Sequence, residues 1–294
     1  MNIVDEIKYS FKKGDSLTRL IYVNLGFFLF IKIVEVFAFL FNSPEISRAV
    51  ISWLALPADL SQLITRPWTV FTYMFLHEGF MHFLFNMLWL FWLGKIFLEY
   101  LDGKKLVGIY LLGGLSGAFL FILFYNVFPA YKLVVNQAIL LGASASVLAI
   151  VVAIAFYVPN YTINLFLIGR VKLKYIAGAT VFLSVLNVAS SNSGGNIAHL
   201  GGALYGYLFI SQYLRGRDIA KSYTDFFESV ISIFKPRKKM KVTYKKPKTD
   251  MEYNTEKAKK QEEINKILEK ISKSGYDSLS KKEKEILFNM SDKK

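Results

Sequence analysis

The chain has 294 residues, enough for one large domain or two smaller ones, and 53% of them are hydrophobic, with 26 phenylalanines among them. It contains no cysteine, which excludes a disulfide framework, a thiolate nucleophile and a cysteine metal site. The net charge of +14 suggests nucleic acid, but from Arg215 onward 22 Lys and Arg face 13 Asp and Glu, so most of the excess lies in one tail. No nucleic-acid motif accompanies that tail, and a basic segment beside a membrane is better read as attracted to anionic lipid headgroups.

The apolar residues are gathered into long blocks instead of being spread at the period of a soluble helix, which marks a polytopic membrane protein. Lys8, Lys12 and Lys13 precede a first block that is too long for a signal-peptide core and lacks a small-residue cleavage site, so it reads as a retained span. Six blocks approach the roughly 20 residues a bilayer core requires. They cover residues 17–41, 80–100, 106–128, 138–158, 175–189 and 197–213, the last two short and rich in small residues.

Basic residues set the expected orientation. Lys104 and Lys105 follow the second block, Arg170, Lys172 and Lys174 the fourth, and Arg215 and Arg217 the sixth. The alternate connections are poorer, with Arg48 and Arg66 in a long first loop, Lys132 in the third and no charge over residues 190–196. Both termini are expected to be cytoplasmic. The first outer connection, residues 42–79, is too long for a turn and too apolar for an aqueous loop, and is expected to lie partly in the outer leaflet against the bundle.

The chain divides into a membrane domain over 1–215, a basic linker over 216–260 whose Lys-dense part reads as mobile, and a small helical hairpin over 261–294. In the hairpin Ile264, Ile267, Leu268 and Ile271 recur at helical spacing before Gly275, and Ser280 to Glu283 is a capping box ahead of Ile286, Leu287 and Met290. Nothing in it suggests chemistry, and nothing in the chain sets an oligomeric state.

Polar groups inside spans are costly and are functional hypotheses by default. His77, His82 and His199, the only histidines, fall in or beside apolar blocks, as do Asn86 and Ser144. Spans two, four and six run in the same direction and carry His82 and Asn86, Ser144, and His199 near their starts, so three helices deliver polar groups to one depth. His199, Gly202 and Gly206 share one helix face, bare enough for another helix to approach, and Gly142-Ala143-Ser144-Ala145 offers a similarly small surface. If those faces meet, Ser144 and His199 form a minimal activated nucleophile. His82 and Asn86, at i and i+4, can then donate to a developing oxyanion, with backbone N–H groups added if the fourth helix begins at Ser144 and not at Ala138. Each member also has a plain reading. A serine in a membrane helix commonly bonds its own backbone, and Gly202 with Gly206 is ordinary helix packing. A zinc site is disfavoured, because His77 and His82 are five residues apart, about 140° on a helix, and Gly79 interrupts the segment.

These residues resemble the rhomboid family of intramembrane serine proteases, of bacterial type. The family's histidine followed by H-x-x-x-N is matched by His77, His82 and Asn86, its G-x-S-G nearly by Gly142 to Ala145, and its A-H-x-x-G-x-x-x-G by Ala198, His199, Gly202 and Gly206. The resemblance covers about residues 15–215. It implies an all-α, six-helix bundle with a membrane-embedded first loop, in a bacterial inner membrane with the active site toward the outer face. It further implies Ser144 as nucleophile, His199 as base and later acid, and an oxyanion site of His82, Asn86 and the Ser144 N–H, with His77 structural. The reaction implied is hydrolysis of a peptide bond in or near a substrate's transmembrane helix, with no cofactor and no metal. No Asp or Glu in spans four or six supplies a third member. Three positions depart from the pattern. Ala145 replaces a glycine, Trp68-Thr69 stands for a Trp-Arg pair, and Leu148 occupies the place of an aromatic against the imidazole. The alternative these departures leave is an inactive relative that binds transmembrane helices.

Overall fold

The computed structural model describes residues 5–6, 9–11, 14–165, 169–217 and 249–291. Lys8, Lys12, Lys13 and the stretch 218–248, which holds most of the expected basic linker, lie outside the described residues. The chain forms two compact units, residues 1–235 and 236–294.

The first unit is a helical bundle. Asp15 caps helix α1 (Ser16–Leu40) by accepting from the Thr18 N–H. The first outer connection is mostly helical, with α2 (Pro44–Leu54), α3 (Leu60–Thr65), the short α4 (Thr69–Thr72) and a 3₁₀ turn over Tyr73–Phe75. Helices α5 (Phe80–Tyr100) and α6 (Gly103–Val127) follow, then α7 (Ser144–Tyr157), α8 (Leu173–Leu186) and α9 (Ser193–Leu214). Among the described residues α1, α5 and α6 are long and apolar enough to cross a membrane, while α7 and the α8 segment are shorter apolar helices.

Several boundaries differ from expectation for local reasons. The third span begins at Gly103, because Asp102 caps the Lys105 N–H. The sixth begins at Ser193, four residues before the apolar run. The largest change is in the fourth, expected from residue 138. Ile139–Leu140 (β2) instead pairs antiparallel with Leu56–Pro57 (β1), and the helix starts at Ser144. Apolar content cannot separate a buried strand from a buried helix, and here the partner is more than 80 residues away in sequence. The connection between α7 and α8 is a second hairpin, β3 (Thr162–Leu165) with β4 (Gly169–Lys172), carrying Arg170 and Lys172.

Helix α7 occupies the centre. Every residue from Ala145 to Ala155 is buried, so it is sheathed on all sides by protein. Close approach is possible because its neighbours present glycine. A Cβ on Gly202 would collide with the Ala145 carbonyl, and one on Gly206 with the Ala149 carbonyl, so α9 lies directly on the α7 backbone. From α6, Gly113, Gly114 and Gly117 face Ala149, Ser146 and Ala145. In contrast α1 exposes Leu29, Phe30, Ile33, Val36 and Phe37, a surface suited to lipid.

Polar side chains fasten the first outer connection to this core. Tyr110 of α6 hydrogen-bonds the Met74 carbonyl at 2.9 Å and Asn24 of α1 at 3.1 Å, and Tyr73 donates to the Gly114 carbonyl at 2.5 Å. Arg66 donates to Ser52, Thr72 to the Leu54 carbonyl and the Trp68 indole to the Trp53 carbonyl. The carbonyls of Ser52, Trp53, Leu54 and Met74 are thereby satisfied from within the protein.

The second unit is a helical hairpin. Helix α10 (Asp250–Ser274) opens on a reciprocal capping box between Thr249 and Glu252, so residues 250–260, expected to be linker, are helical. Gly275 ends it at a φ of +77° that favours glycine. Helix α11 (Lys281–Ser291) follows, with Ser280 and Glu283 capping each other and Lys270 of α10 paired to Glu283 at 3.0 Å. Ile267 and Leu279 are its buried apolar residues.

Candidate functional site

Ser144 is the first residue of α7. The preceding turn is set by Gly142, whose φ of +131° is available to glycine and whose N–H donates to the Tyr73 carbonyl at 2.9 Å. Gly142 is also required by space. A Cβ there would stand 3.0 Å from the His82 ring and 3.7 Å from the Ser144 hydroxyl, so the bare backbone lets His82 reach the serine's neighbourhood. Because the helix starts here, the first N–H groups of α7 have no intrahelical carbonyl to bond and carry the positive end of the helix dipole.

His199 comes from α9, one turn and a half into the helix, on the face that Gly202 and Gly206 press against α7. Its Nε2 lies 2.7 Å from Ser144 Oγ. The hydroxyl therefore spends its hydrogen bond on the imidazole and not on its own helix backbone. At the other edge of the ring, Nδ1 lies 3.3 Å from the hydroxyl of Ser184 on α8. Sequence reasoning passed over Ser184. The signal available was a buried-face spacing with Leu173 and Ala177, which does not reveal what the face meets.

The remaining expected residues divide. His82, Ser144 and His199 line one cavity of about 760 Å³ together with Glu78, Ser191 and Asn192, a polar bay at the N-terminal ends of α5, α7 and α9. Asn86 lines a smaller, apolar cavity of about 140 Å³ that Ser144 and His199 also border, walled by Phe85, Trp89 and Leu148. One Asn86 amide N–H is committed to the His82 carbonyl at 2.8 Å, leaving the other for a ligand. His77 is 3% exposed, bonds the Phe75 carbonyl through Nδ1 at 3.2 Å and packs edge-on against His82 with ring centroids 5.4 Å apart. It touches the site through His82. Among the described residues no three His, Asp or Glu side chains gather to hold a metal ion.

The departures from the motif pattern have local accommodations. The Ala145 methyl points at Gly117 of α6, where a Cβ would come within 2.8 Å, so the side chain absent from one helix leaves room for the methyl on the other. Leu148 supplies an aliphatic wall to the apolar cavity. Thr69 is fully buried and donates to the Arg66 carbonyl, while the Arg66 guanidinium lies over the Trp53 ring, itself stacked on Trp68 at 5.6 Å.

A family model described as Rhomboid domain matches residues 65–216, just over half of the chain. A second, described as a family of unknown function, DUF6576, matches residues 248–293, the hairpin. No curated protein matches the chain.

Proposed function

The chain belongs to the rhomboid family and is a multi-pass integral membrane protein, and from that premise we propose that it is an intramembrane serine endopeptidase using Ser144 and His199. The observation that carries this reading is the 2.7 Å contact between Ser144 Oγ and His199 Nε2. A pure helix binder needs neither residue, nor a reason to place them together. The imidazole takes the serine proton as Oγ attacks a peptide carbonyl, and returns it to the leaving amine. The negative charge on the tetrahedral intermediate falls at the N-terminus of α7, where the Ser144 N–H, the second Asn86 N–H and the His82 ring are within the same pair of cavities. The polar bay admits water for the second half of the reaction, and the apolar cavity beside Ser144 suits a substrate side chain.

The substrates proposed are transmembrane proteins, cut in or near their helices. Six crossings with both termini cytoplasmic agree with the basic residues of the connections, and put the bay at the outer face of what we take to be a bacterial inner membrane. Anionic lipid is the proposed partner of the basic tail.

Labelling the purified protein with a phosphonate serine probe and mapping the adduct tests the reading. Modification at Ser144, together with loss of several orders of magnitude in cleavage of a model transmembrane substrate by Ser144→Ala and His199→Ala, is expected. Parental turnover by both variants overturns it.

A further inference from the structure

Ser184 stands where a neutral histidine base needs a partner. The residue is 3% exposed. Its hydroxyl lies 3.0 Å from the Thr180 carbonyl and 3.3 Å from His199 Nδ1. A hydroxyl has one proton and two lone pairs, whereas a carbonyl oxygen can only accept. The proton therefore goes to Thr180, the shorter of the two contacts, and the lone pairs face Nδ1. That arrangement is satisfied only when Nδ1 carries the hydrogen. Nε2 is then bare toward Ser144, as a general base must be. The reverse assignment, with the Ser184 proton on Nδ1, would leave the Thr180 contact unfilled and point an N–H at the serine it should deprotonate.

We propose that Ser184 is the positioning residue of this site, an acceptor on α8 that fixes the tautomer and ring orientation of His199. The proposal rests on the protease reading for its catalytic meaning, but its geometric content does not. The back-bond to Thr180, which on its own is the ordinary habit of a serine in a membrane helix, here orients the hydroxyl oxygen toward the imidazole. The 3.3 Å separation is at the long end for N–H···O. Such bonds shorten when the donor is charged, so the contact strengthens as the imidazolium forms. Leu148 offers that ring no hydrogen bond and no aromatic face, so Ser184 is the polar contact opposite Ser144. A hydroxyl in this place does with a neutral oxygen what a carboxylate does in a three-membered relay.

Two measurements on the full-length protein test this. Nitrogen-15 spectra of the histidine-labelled protein in detergent are assignable by single replacement of His77 and His82, since there are three histidines. At a pH where His199 is neutral, the wild type is expected to carry its hydrogen on Nδ1, and Ser184→Ala to show a mixture of tautomers. In the cleavage assay Ser184→Ala is expected to lose roughly 10- to 100-fold in kcat, a part of what a general base contributes, with KM within about twofold of wild type. Hydrogen on Nε2 in the wild type, or an unchanged tautomer in Ser184→Ala, overturns the proposal. An inactive wild type with Nδ1 protonated would remove the protease reading and leave Ser184's role standing.

Discussion

Helix α7, at the centre of the bundle, and helix α10, in the hairpin, are stabilised by opposite means. Every side chain of α7 from Ala145 to Ala155 is buried, and its closest neighbours include glycines of α6 and α9. Helix α10 is longer, with 25 residues, and buries Ile267 alone. It is defined by its ends, a capping box at Thr249 and Glu252, Gly275 at the other terminus, and the Lys270–Glu283 pair to α11. The difference teaches where each can be broken. In a membrane there is little hydrophobic drive between helices, so α7 depends on close fit over its length. In water α10 depends on a few local hydrogen bonds and a very small apolar contact.

The largest effect should come from spoiling the fit. Gly202→Leu puts a side chain where the Ala145 carbonyl already is, and should cost about 3 kcal/mol, the upper end of what overpacking costs, and take activity with it. Thermal melting in detergent and the cleavage assay measure both. A variant that keeps stability and turnover would mean that α7 and α9 do not depend on this contact.

A smaller effect is expected in the hairpin on acidification. The backbone N–H of Ser280, with Lys270 and the Ser280 hydroxyl behind it, holds the Glu283 carboxyl down at about 2 from its ordinary 4.5. A group depressed on folding stabilises above its unfolded value, so this contribution is complete above about pH 4.5 and is lost as the pH falls toward 2. Amide exchange in α10 and α11 should accelerate across that window in the wild type. In Glu283→Gln the rates should be faster at neutral pH and flat below it. An equal acid response in the variant would assign the window to another carboxylate.

The smallest effect sharpens the comparison by its absence. Truncation after Phe234 removes the hairpin and leaves every residue of the proposed site in the first unit. Turnover of a model substrate in detergent should stay within about twofold of full length, well under the tenfold that a 1.4 kcal/mol change in barrier would produce. Loss of activity with the bundle still folded would tie the hairpin to the catalytic state.

Much of the site could be read in advance because its members carry distinctive residue types at helical spacing. Ser144, His199, Gly202 and Gly206 share faces that one dimension suffices to describe. What escaped depends on partners distant in the chain. Residues 138–141 are as apolar as the helix they precede, and only the pairing with Leu56–Pro57 turns them into a strand. Ser184 looks like any serine in a span until α8 is laid beside His199. Gly117 gains meaning only opposite Ala145. The start of α10 is a different kind of miss. Thr249 and Glu252 form a capping box visible in the sequence, and the lysines that follow gave the segment the look of a linker.

The shortness of α7 bears on the surrounding bilayer. It has 14 residues against 21 in α5, a difference of about 10 Å in length at 1.5 Å per residue. The two helices finish together, since Tyr100 and Tyr157 at their C-terminal ends meet edge to face with centroids 6.0 Å apart. The deficit therefore falls at the Ser144 end, where the polar bay lies. A short helix facing lipid would thin the membrane around it, but α7 is insulated by protein and imposes no such mismatch. The rim of the bay is built by the protein itself, from Glu78 and Gly79, residues 138–141, and Ser191 and Asn192. The position of the serine is thus set by the length of a helix packed wholly in protein, and its spacing from the histidine by the glycine contacts with α9.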